Sequence, residues 1–376
     1  MKVALYHNLP SGGALRLLEE YLRYSKAAHN ITVITPSTAA SIDPTLLEKS
    51  TQVTIPLPEA TSLISRYRQF AAIPVLAKRA AEQINEGSFD VAFLHASQVT
   101  QAPEPLRQLN VPSLYFAPEY LREVYDKPSN LSGRERIKRV ATAPLNLRRR
   151  RFDAASIRAA SLVSTTSHFT QANLKRIYGV SSEVVYGGVD STAFKPSKQR
   201  EAIVLSVGAL HPAKGHQFVI AALAHIPKNK RPKLVVVGDR GDYGRHLESL
   251  ATLADVDLDL RQAIEFTEIT ALYGRAMIFA AAQYEEPLGL VALEAMSSET
   301  PVVAVNEGGL AETVLDARTG FLVERDERAF ASAIEHLIDE PDLRLRFGRE
   351  GRKMMRHWTW QATANRFDEL LEQIVA

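Results

Sequence analysis

Short apolar runs rich in β-branched residues alternate with amphipathic stretches from one end of the chain to the other. That alternation predicts an α/β protein in which parallel sheets carry helices on both faces. In the first half, strands are expected at Lys2 to Tyr6, Ile31 to Thr35, Gln52 to Ile55, Phe89 to His95, Ser113 to Phe116, Leu162 to Thr165 and Glu183 to Tyr186, with helical periodicity between them. The pattern then pauses. Gly187-Gly188-Val189-Asp190 and Phe194-Lys195-Pro196-Ser197-Lys198 collect glycine, proline and charge in the manner of a linker. The cycle restarts with strands at Ala202 to Val207, Lys233 to Val237, Val256 to Leu260, Met277 to Ala281, Pro301 to Val305 and Gly320 to Val323. After Ala329 the periodicity is helical, broken at Pro341 and again around His357-Trp358-Thr359-Trp360. The expected organisation is therefore an N-terminal doubly wound domain over 1–197 and a second over 198–356. A last amphipathic segment, 357–376, carries Phe367, Leu370, Leu371 and Ile374 and is expected to cross back to the first domain.

Composition narrows the function classes. A chain of 376 residues has room for two domains of about 150 residues each, with more than one sizeable core. It has no cysteine, which excludes disulfides, a thiolate nucleophile and Cys-ligated metal, and makes the cytosol the simplest expectation. The balance of 45 Lys+Arg against 43 Asp+Glu gives no global reason to expect nucleic acid. No window approaches the roughly 18 apolar residues that span a bilayer, and Val3 to Tyr6 is too short for a signal-peptide core, so any membrane contact is expected to be peripheral. One local charge cluster stands out: Arg134, Arg136, Lys138 and Arg139, then Arg148 to Arg151, opposed only by Glu135. It is either a solvated helical face or a dock for anionic lipid or a lipid diphosphate at the inner face of a membrane.

Three segments carry candidate chemistry. The first is Glu286-Pro287-Leu288-Gly289-Leu290-Val291-Ala292-Leu293-Glu294, which reads as a loop opening a helix, with amides near Gly289 and Leu290 available to an anion on the helix axis. Separated by eight residues, its two carboxylates would lie roughly 12 Å apart along a helix and about 80° apart around it, so that they reach two different parts of one elongated ligand. The plainer alternative is a favourable charge at a helix start and an exposed Glu294. The second segment is Ser206 to Gly215, where Gly208, Ala209 and Lys214 follow a strand end, the place where open α/β sheets bind ligands. Lys214 is either a phosphate partner or an ordinary loop lysine. The third is the turn at Gly12 and Gly13, which lets backbone approach a ligand but falls short of a full dinucleotide fingerprint. The alternation Asp255, Asp257, Asp259 has the look of a metal triplet, yet on a strand and its entrance such spacing is geometry alone.

In order and spacing these segments resemble the retaining GT-B glycosyltransferases of glycosyltransferase family 4 over nearly the whole chain. The resemblance also draws on Gly188-Val189-Asp190 with Phe194 and Pro196, Lys214-Gly215, Val237-Gly238-Asp239, Pro301 to Ala304, Gly308-Gly309, and Thr319 to Val323. It implies two Rossmann-like domains facing a cleft, with a nucleotide-sugar donor held mainly by the second and a glycan or lipid-linked acceptor mainly by the first. By position, Glu286 corresponds to the carboxylate that accepts hydrogen bonds from donor-sugar hydroxyls, and Glu294 to the one that holds the ribose. Lys214 and the amides of Leu288, Gly289 and Leu290 correspond to the groups that stabilise the diphosphate; Gly208, Ala209, Gly238 and Asp239 lie in the same donor segments. No cofactor, no metal and no enzymic nucleophile are implied.

Two positions depart from the family pattern. Where the family has Gly-Arg-Leu, this chain has Gly208-Ala209-Leu210, which removes a diphosphate contact that His211 or Arg240 would have to replace. Where histidine precedes a glutamate in the first domain, this chain has Pro118 before Glu119, leaving Glu119 and His95 as the candidates to meet acceptor or donor sugar. A histidine at a strand end has an ordinary structural reading as well. These departures motivate the alternative of a catalytically degenerate GT-B protein that partners glycan assembly; a GT-B epimerase or phosphorylase fits the Glu-x7-Glu context less well.

Overall fold

The structure, a computed structural model, describes residues 1–26, 30–48, 50–126 and 133–376, with 63 and 133–141 described for the backbone alone. The chain divides into two compact units, Met1–Tyr186 together with Thr363–Ala376, and Gly187–Ala362. Each is a doubly wound α/β layer structure.

The first unit holds a parallel sheet of β1 (Lys2–Asn8), β2 (Asn30–Pro36), β3 (Thr51–Ile55), β4 (Val91–Ser97), β5 (Ser113–Phe116), β6 (Leu162–Thr165) and β7 (Glu183–Val184), in the order β3-β2-β1-β4-β5-β6-β7. Its central strands are buried on both faces, which is why they read as unbroken apolar runs rather than alternating ones. One face is covered by the long helix Leu63–Glu86 and by Ile157, with Ala80, Ile84, Leu94 and Tyr115 in the core between. On the other face the C-terminal helix Trp360–Val375 sets Phe367 against Tyr21, Phe93 and Phe116, with ring centroids 5.7, 5.1 and 5.2 Å away. Asp368 on the same helix accepts a hydrogen bond from the Tyr21 hydroxyl at 3.1 Å.

The second unit holds β8 (Glu201–Val207), β9 (Lys233–Gly238), β10 (Leu258–Gln262), β11 (Ala276–Ala281), β12 (Val302–Val305) and β13 (Gly320–Val323), all parallel, in the order β10-β9-β8-β11-β12-β13. In both sheets the winding direction reverses beside the first strand, between β1 and β4 and between β8 and β11. Loops leaving the carboxyl ends of strands on either side of such a reversal diverge and leave a crevice, where open α/β sheets bind ligands. This places the segments after β8 and β11 around one crevice.

The division between units falls at 186/187, ahead of the expected 197/198. The linker-like segment packs into the second unit: the Val189 amide donates to the Trp358 carbonyl at 2.9 Å, Gly188 lies against Thr359 and Trp360 so closely that a Cβ would sit 2.3 Å from the Trp360 nitrogen, and Phe194 is fully buried in the second core. The expected strand Phe89 to His95 starts later and runs on to Ser97, because the Asp90 carboxylate and amide bond Lys2 before the ladder begins. The strand at Val256 likewise starts at Leu258, after Asp255 turns in the left-handed region at φ 53°.

Candidate functional site

The second unit's crevice is built from two loops. The first leaves β8 through Gly208, Ala209 and Leu210 into a short turn, Pro212–Lys214, that His211 closes by accepting from the Ala213 amide with Nδ1. Gly215 then reverses the chain at φ 73°, with its Cα so close to β11 that a Cβ would lie 1.9 Å from the Ala282 carbonyl oxygen. Only glycine fits there. The Asp239 carboxylate at the end of β9 accepts from the Leu210 amide at 2.7 Å, so this residue fastens the loop with its side chain. Gly238 allows the close approach, since a Cβ there would meet the Gly208 carbonyl at 2.7 Å.

The second loop follows β11 through Gln283, Tyr284 and Glu285 to Glu286. The Lys214 ammonium donates to the Glu286 carboxylate at 2.8 Å, so the structure brings together two candidate residues from opposite sides of the reversal. With 33% and 20% of their side chains exposed, both remain within reach of a ligand. Glu286 does not share a helix with Glu294: the helix runs Leu290–Ser297, with Gly289 before it at φ 89° and Pro287 outside it. The helical separation expected for the two carboxylates therefore does not apply, because the chain turns left-handed at Gly289, a conformation glycine adopts readily, instead of continuing the helix. In the first turn the Ala292 amide donates to the Gly289 carbonyl at 2.9 Å, whereas the amides of Leu290 and Val291 come too early in the helix for an intrahelical acceptor. Leu288 is buried and Leu290 half-buried.

Glu294 is 7% exposed, so the reading of it as an exposed surface residue fails. Tyr273 donates its hydroxyl to one carboxylate oxygen at 2.7 Å. Three residues that sequence reasoning missed hold this site in shape. Buried His216 bonds Ser206 Oγ at 3.0 Å and the Gly208 carbonyl at 3.3 Å, and burial lowers its pKa to about 4, so it stays neutral. Tyr273 is the second. The third, Arg325, clamps Glu307 through two nitrogens at 2.7 and 2.6 Å, donates to the carbonyls of Ala282 and Gln283, and lies 3.7 Å over the Tyr284 ring. Its position two residues past a predicted strand was the available signal; two of its partners are backbone carbonyls, which a sequence does not display. His211 spends Nδ1 on its own turn, and Arg240 is exposed at the loop after β9.

In the first unit, Gly12 precedes the helix Gly13–Tyr24 at φ 136° beside the end of β1. His95 is 1% exposed and packed between Phe93 and Phe116 at 4.6 and 5.5 Å; burial, with His7 adding to it, lowers its pKa to about 3. Its Nε2 has no hydrogen-bond partner among the described residues. Glu119 is half-buried, and its carbonyl accepts from Gln101 at 3.0 Å. Each aspartate of the 255–259 alternation pairs with its own cation, Lys228 at 2.6 Å, Lys233 at 3.5 Å and Arg261 at 2.8 Å. No group of three or more His, Cys, Asp or Glu side chains arranged to hold a metal occurs among the described residues. The side chains of Arg134, Arg136, Lys138 and Arg139 lie outside the described residues, whereas Arg148, Arg150 and Arg151 are exposed. No helix among the described residues is long and apolar enough to cross a membrane.

Comparison with known proteins agrees with this architecture. The chain is similar to the D-inositol 3-phosphate glycosyltransferase of Corynebacterium efficiens, with 30% identity over 246 residues covering 59% of this chain and 56% of that relative. It is similar to the GDP-mannose-dependent alpha-(1-6)-phosphatidylinositol monomannoside mannosyltransferase of Mycolicibacterium smegmatis, with 30% identity covering 56% of this chain and 62% of that relative. The matches thus span less than two thirds of either relative's own length. Among solved structures, sucrose-phosphate synthase from Thermosynechococcus elongatus superposes with a TM-score of 0.79 at 25% identity, over 99% of this chain and 98% of that one. The glycosyltransferase family 4 model matches residues 11–193 and the glycosyl transferases group 1 model matches residues 190–354. Together the two matches take in residues 11–354 and overlap at 190–193, close to where the second unit begins, and the chain belongs to the glycosyltransferases that they describe.

Proposed function

We propose that the chain is a glycosyltransferase that moves a sugar from a nucleoside-diphosphate sugar to a glycan or lipid-linked acceptor, with retention of anomeric configuration and without a metal. The observation that carries the reading is the Lys214–Glu286 pair at the crevice between β8 and β11. A cation there meets the diphosphate, and the carboxylate beside it accepts hydrogen bonds from hydroxyls of the attached sugar. As the glycosidic bond breaks, negative charge grows on the leaving diphosphate, and a preformed ammonium with helix-start amides stabilises it without reorganising at that moment. Glu294, oriented by Tyr273, accepts from the ribose hydroxyls. Attack comes from the face the diphosphate leaves, so no protein nucleophile is assigned. The mycobacterial relative is named for dependence on GDP-mannose, which supports a nucleoside-diphosphate sugar as donor.

The test is product analysis. The protein is incubated with a panel of UDP- and GDP-sugars with and without EDTA, and released nucleoside diphosphate and the anomeric form of the product are followed by NMR. Release with retained configuration, unchanged by EDTA, is expected, and Lys214→Ala should slow it by about a hundredfold or more. Glu286→Ala should lose transfer while keeping nucleotide affinity. A folded protein that releases nucleotide from no donor would leave the non-catalytic partner as the standing account.

A further inference from the structure

The helix Gly133–Ile157 carries a carboxylate that the donor chemistry leaves unused. Asp153 is 1% exposed, and a carboxylate so far from water is costly unless its oxygens are hydrogen-bonded. Both are. Oδ1 accepts from the Ala102 amide at 2.9 Å, and Oδ2 accepts from the hydroxyl of Tyr178, the last residue of the helix His168–Tyr178. That hydroxyl in turn accepts from the Leu121 amide at 3.2 Å. One buried carboxylate therefore holds the loop after β4 directly and the loop after β5 through a phenol.

Glu119 stands between these two fastenings. On one side Gln101, next to Ala102, donates its side-chain amide to the Glu119 carbonyl at 3.0 Å; on the other, the bonded amide of Leu121 is two residues along. Gln101 is itself held in the left-handed region at φ 66°, a conformation that a residue other than glycine keeps only where its surroundings impose it. Its carbonyl accepts from the Tyr115 hydroxyl at 3.1 Å and from the Ser97 amide at 2.9 Å, and its amide donates to the Ser97 carbonyl at 2.8 Å.

We propose that Asp153 is a positioning residue for glycosyl transfer: its ionised carboxylate, through Ala102 and Gln101 and through Tyr178 and Leu121, fixes Glu119, the first unit's candidate to meet the sugar. The role of Glu119 rests on the glycosyl-transfer reading; the clamp rests on the hydrogen bonds alone. Ionisation matters because both partners of Asp153 are donors. A protonated Asp153, like an asparagine, sets a hydrogen against one of them and leaves a buried donor without an acceptor. Burial raises the Asp153 pKa to about 6, against the opposite pull of its bonds to Tyr178 and Ala102 and of the nearby Arg149 charge. The other titratable groups facing it are Tyr115 on β5, Tyr125 and Tyr178, which burial keeps protonated; Glu104 and Glu119 also face Tyr115. The clamp is thus intact above about pH 6 and loosens below it.

Nucleotide release from a panel of UDP- and GDP-sugars is followed between pH 5 and 8 for the parent, Asp153→Asn and Tyr178→Phe, together with hydrogen exchange at the Leu121 amide. The parent's rate should fall about tenfold per pH unit below about pH 6. Asp153→Asn, nearly the same in shape, should be slower by about tenfold or more at pH 8 and should lack that acid limb. The unfolding-temperature shift given by UDP or GDP should be unchanged, since the nucleotide is expected on the second unit. Tyr178→Phe keeps the carboxylate but takes the acceptor from Leu121, so it should also slow release, and Leu121 should exchange about tenfold faster in both variants. An acid limb that survives in Asp153→Asn, variants as fast as the parent, a loss of nucleotide affinity that matches the loss of rate, or unchanged exchange at Leu121 would each overturn the proposal. A parent that releases no nucleotide from any donor, with exchange accelerated in the variants, would instead fault the glycosyl-transfer reading and leave the clamp standing.

Discussion

Lys214 and Glu286 lie 72 positions apart and meet at 2.8 Å only because the sheet reverses its winding between the strands that carry them. Their half-exposed pair contributes little to folding, so Lys214→Ala should cost less than about 1 kcal/mol of stability while removing most of the turnover. His216, next to Lys214 in the chain, is a different kind of residue. Burial lowers its pKa to about 4, whereas unfolded histidine titrates near 6.5. Between those values the unfolded chain binds more protons, so His216 makes stability fall as pH drops through that window. His7, lowered to about 4, and His95, lowered to about 3, act in the same direction, while Asp153, raised by burial to about 6, opposes them. His216→Asn should therefore flatten the dependence by about one proton, about 1.4 kcal/mol per pH unit between about pH 4.5 and 6, measured by urea unfolding against the parent. An unchanged slope would mean that the imidazole is not held neutral. The types and spacing of Lys214, Glu286 and Glu294 were legible in the sequence. Their supporting residues were not, because Arg325 and His216 act on carbonyl groups that the order of residues does not reveal.

At the scale of elements, the strands were legible because burial on both faces makes each a compact β-branched run. Their ends were less so. β7 stops at Val184 before the expected Tyr186, whose carbonyl instead accepts from Thr363 Oγ1 at 2.8 Å, a contact made with the far end of the chain. The helix after Glu286 starts at Leu290 because Gly289 is left-handed at φ 89°, a conformation that the sequence permits by placing glycine there but does not announce. The C-terminal helix shows what such distant contacts are worth. Phe367 is fully buried among Tyr21, Phe93 and Phe116, and Phe367→Ala should cost about 3–5 kcal/mol of stability through the cavity it leaves. Urea unfolding measures this directly; a loss below about 1 kcal/mol would show that the helix is not a fixed part of the first unit's core.

Over the whole molecule, one winding order occurs twice, β3-β2-β1-β4-β5-β6 and β10-β9-β8-β11-β12-β13, and the two family matches meet where the second begins. The repeated order gives each unit a crevice at its own reversal, but the side chains there differ in kind. Beside β8 and β11 stand a lysine and two carboxylates, one in the loop before a helix and one within it; beside β1 and β4 stand two buried neutral histidines, and the first unit also carries a cavity lined by Arg66, Arg149 and Arg150. The nucleotide is expected on the second unit, and thermal unfolding with UDP, GDP, ADP and dTDP, with and without magnesium, tests that most directly. At about 100 times the dissociation constant a ligand adds about 2.7 kcal/mol, a shift of a few degrees for a protein of this size. The predicted result is a selective shift for one nucleotide, independent of magnesium and lost in Lys214→Ala. Contradiction would be a shift that survives in Lys214→Ala, or no shift with any of the four.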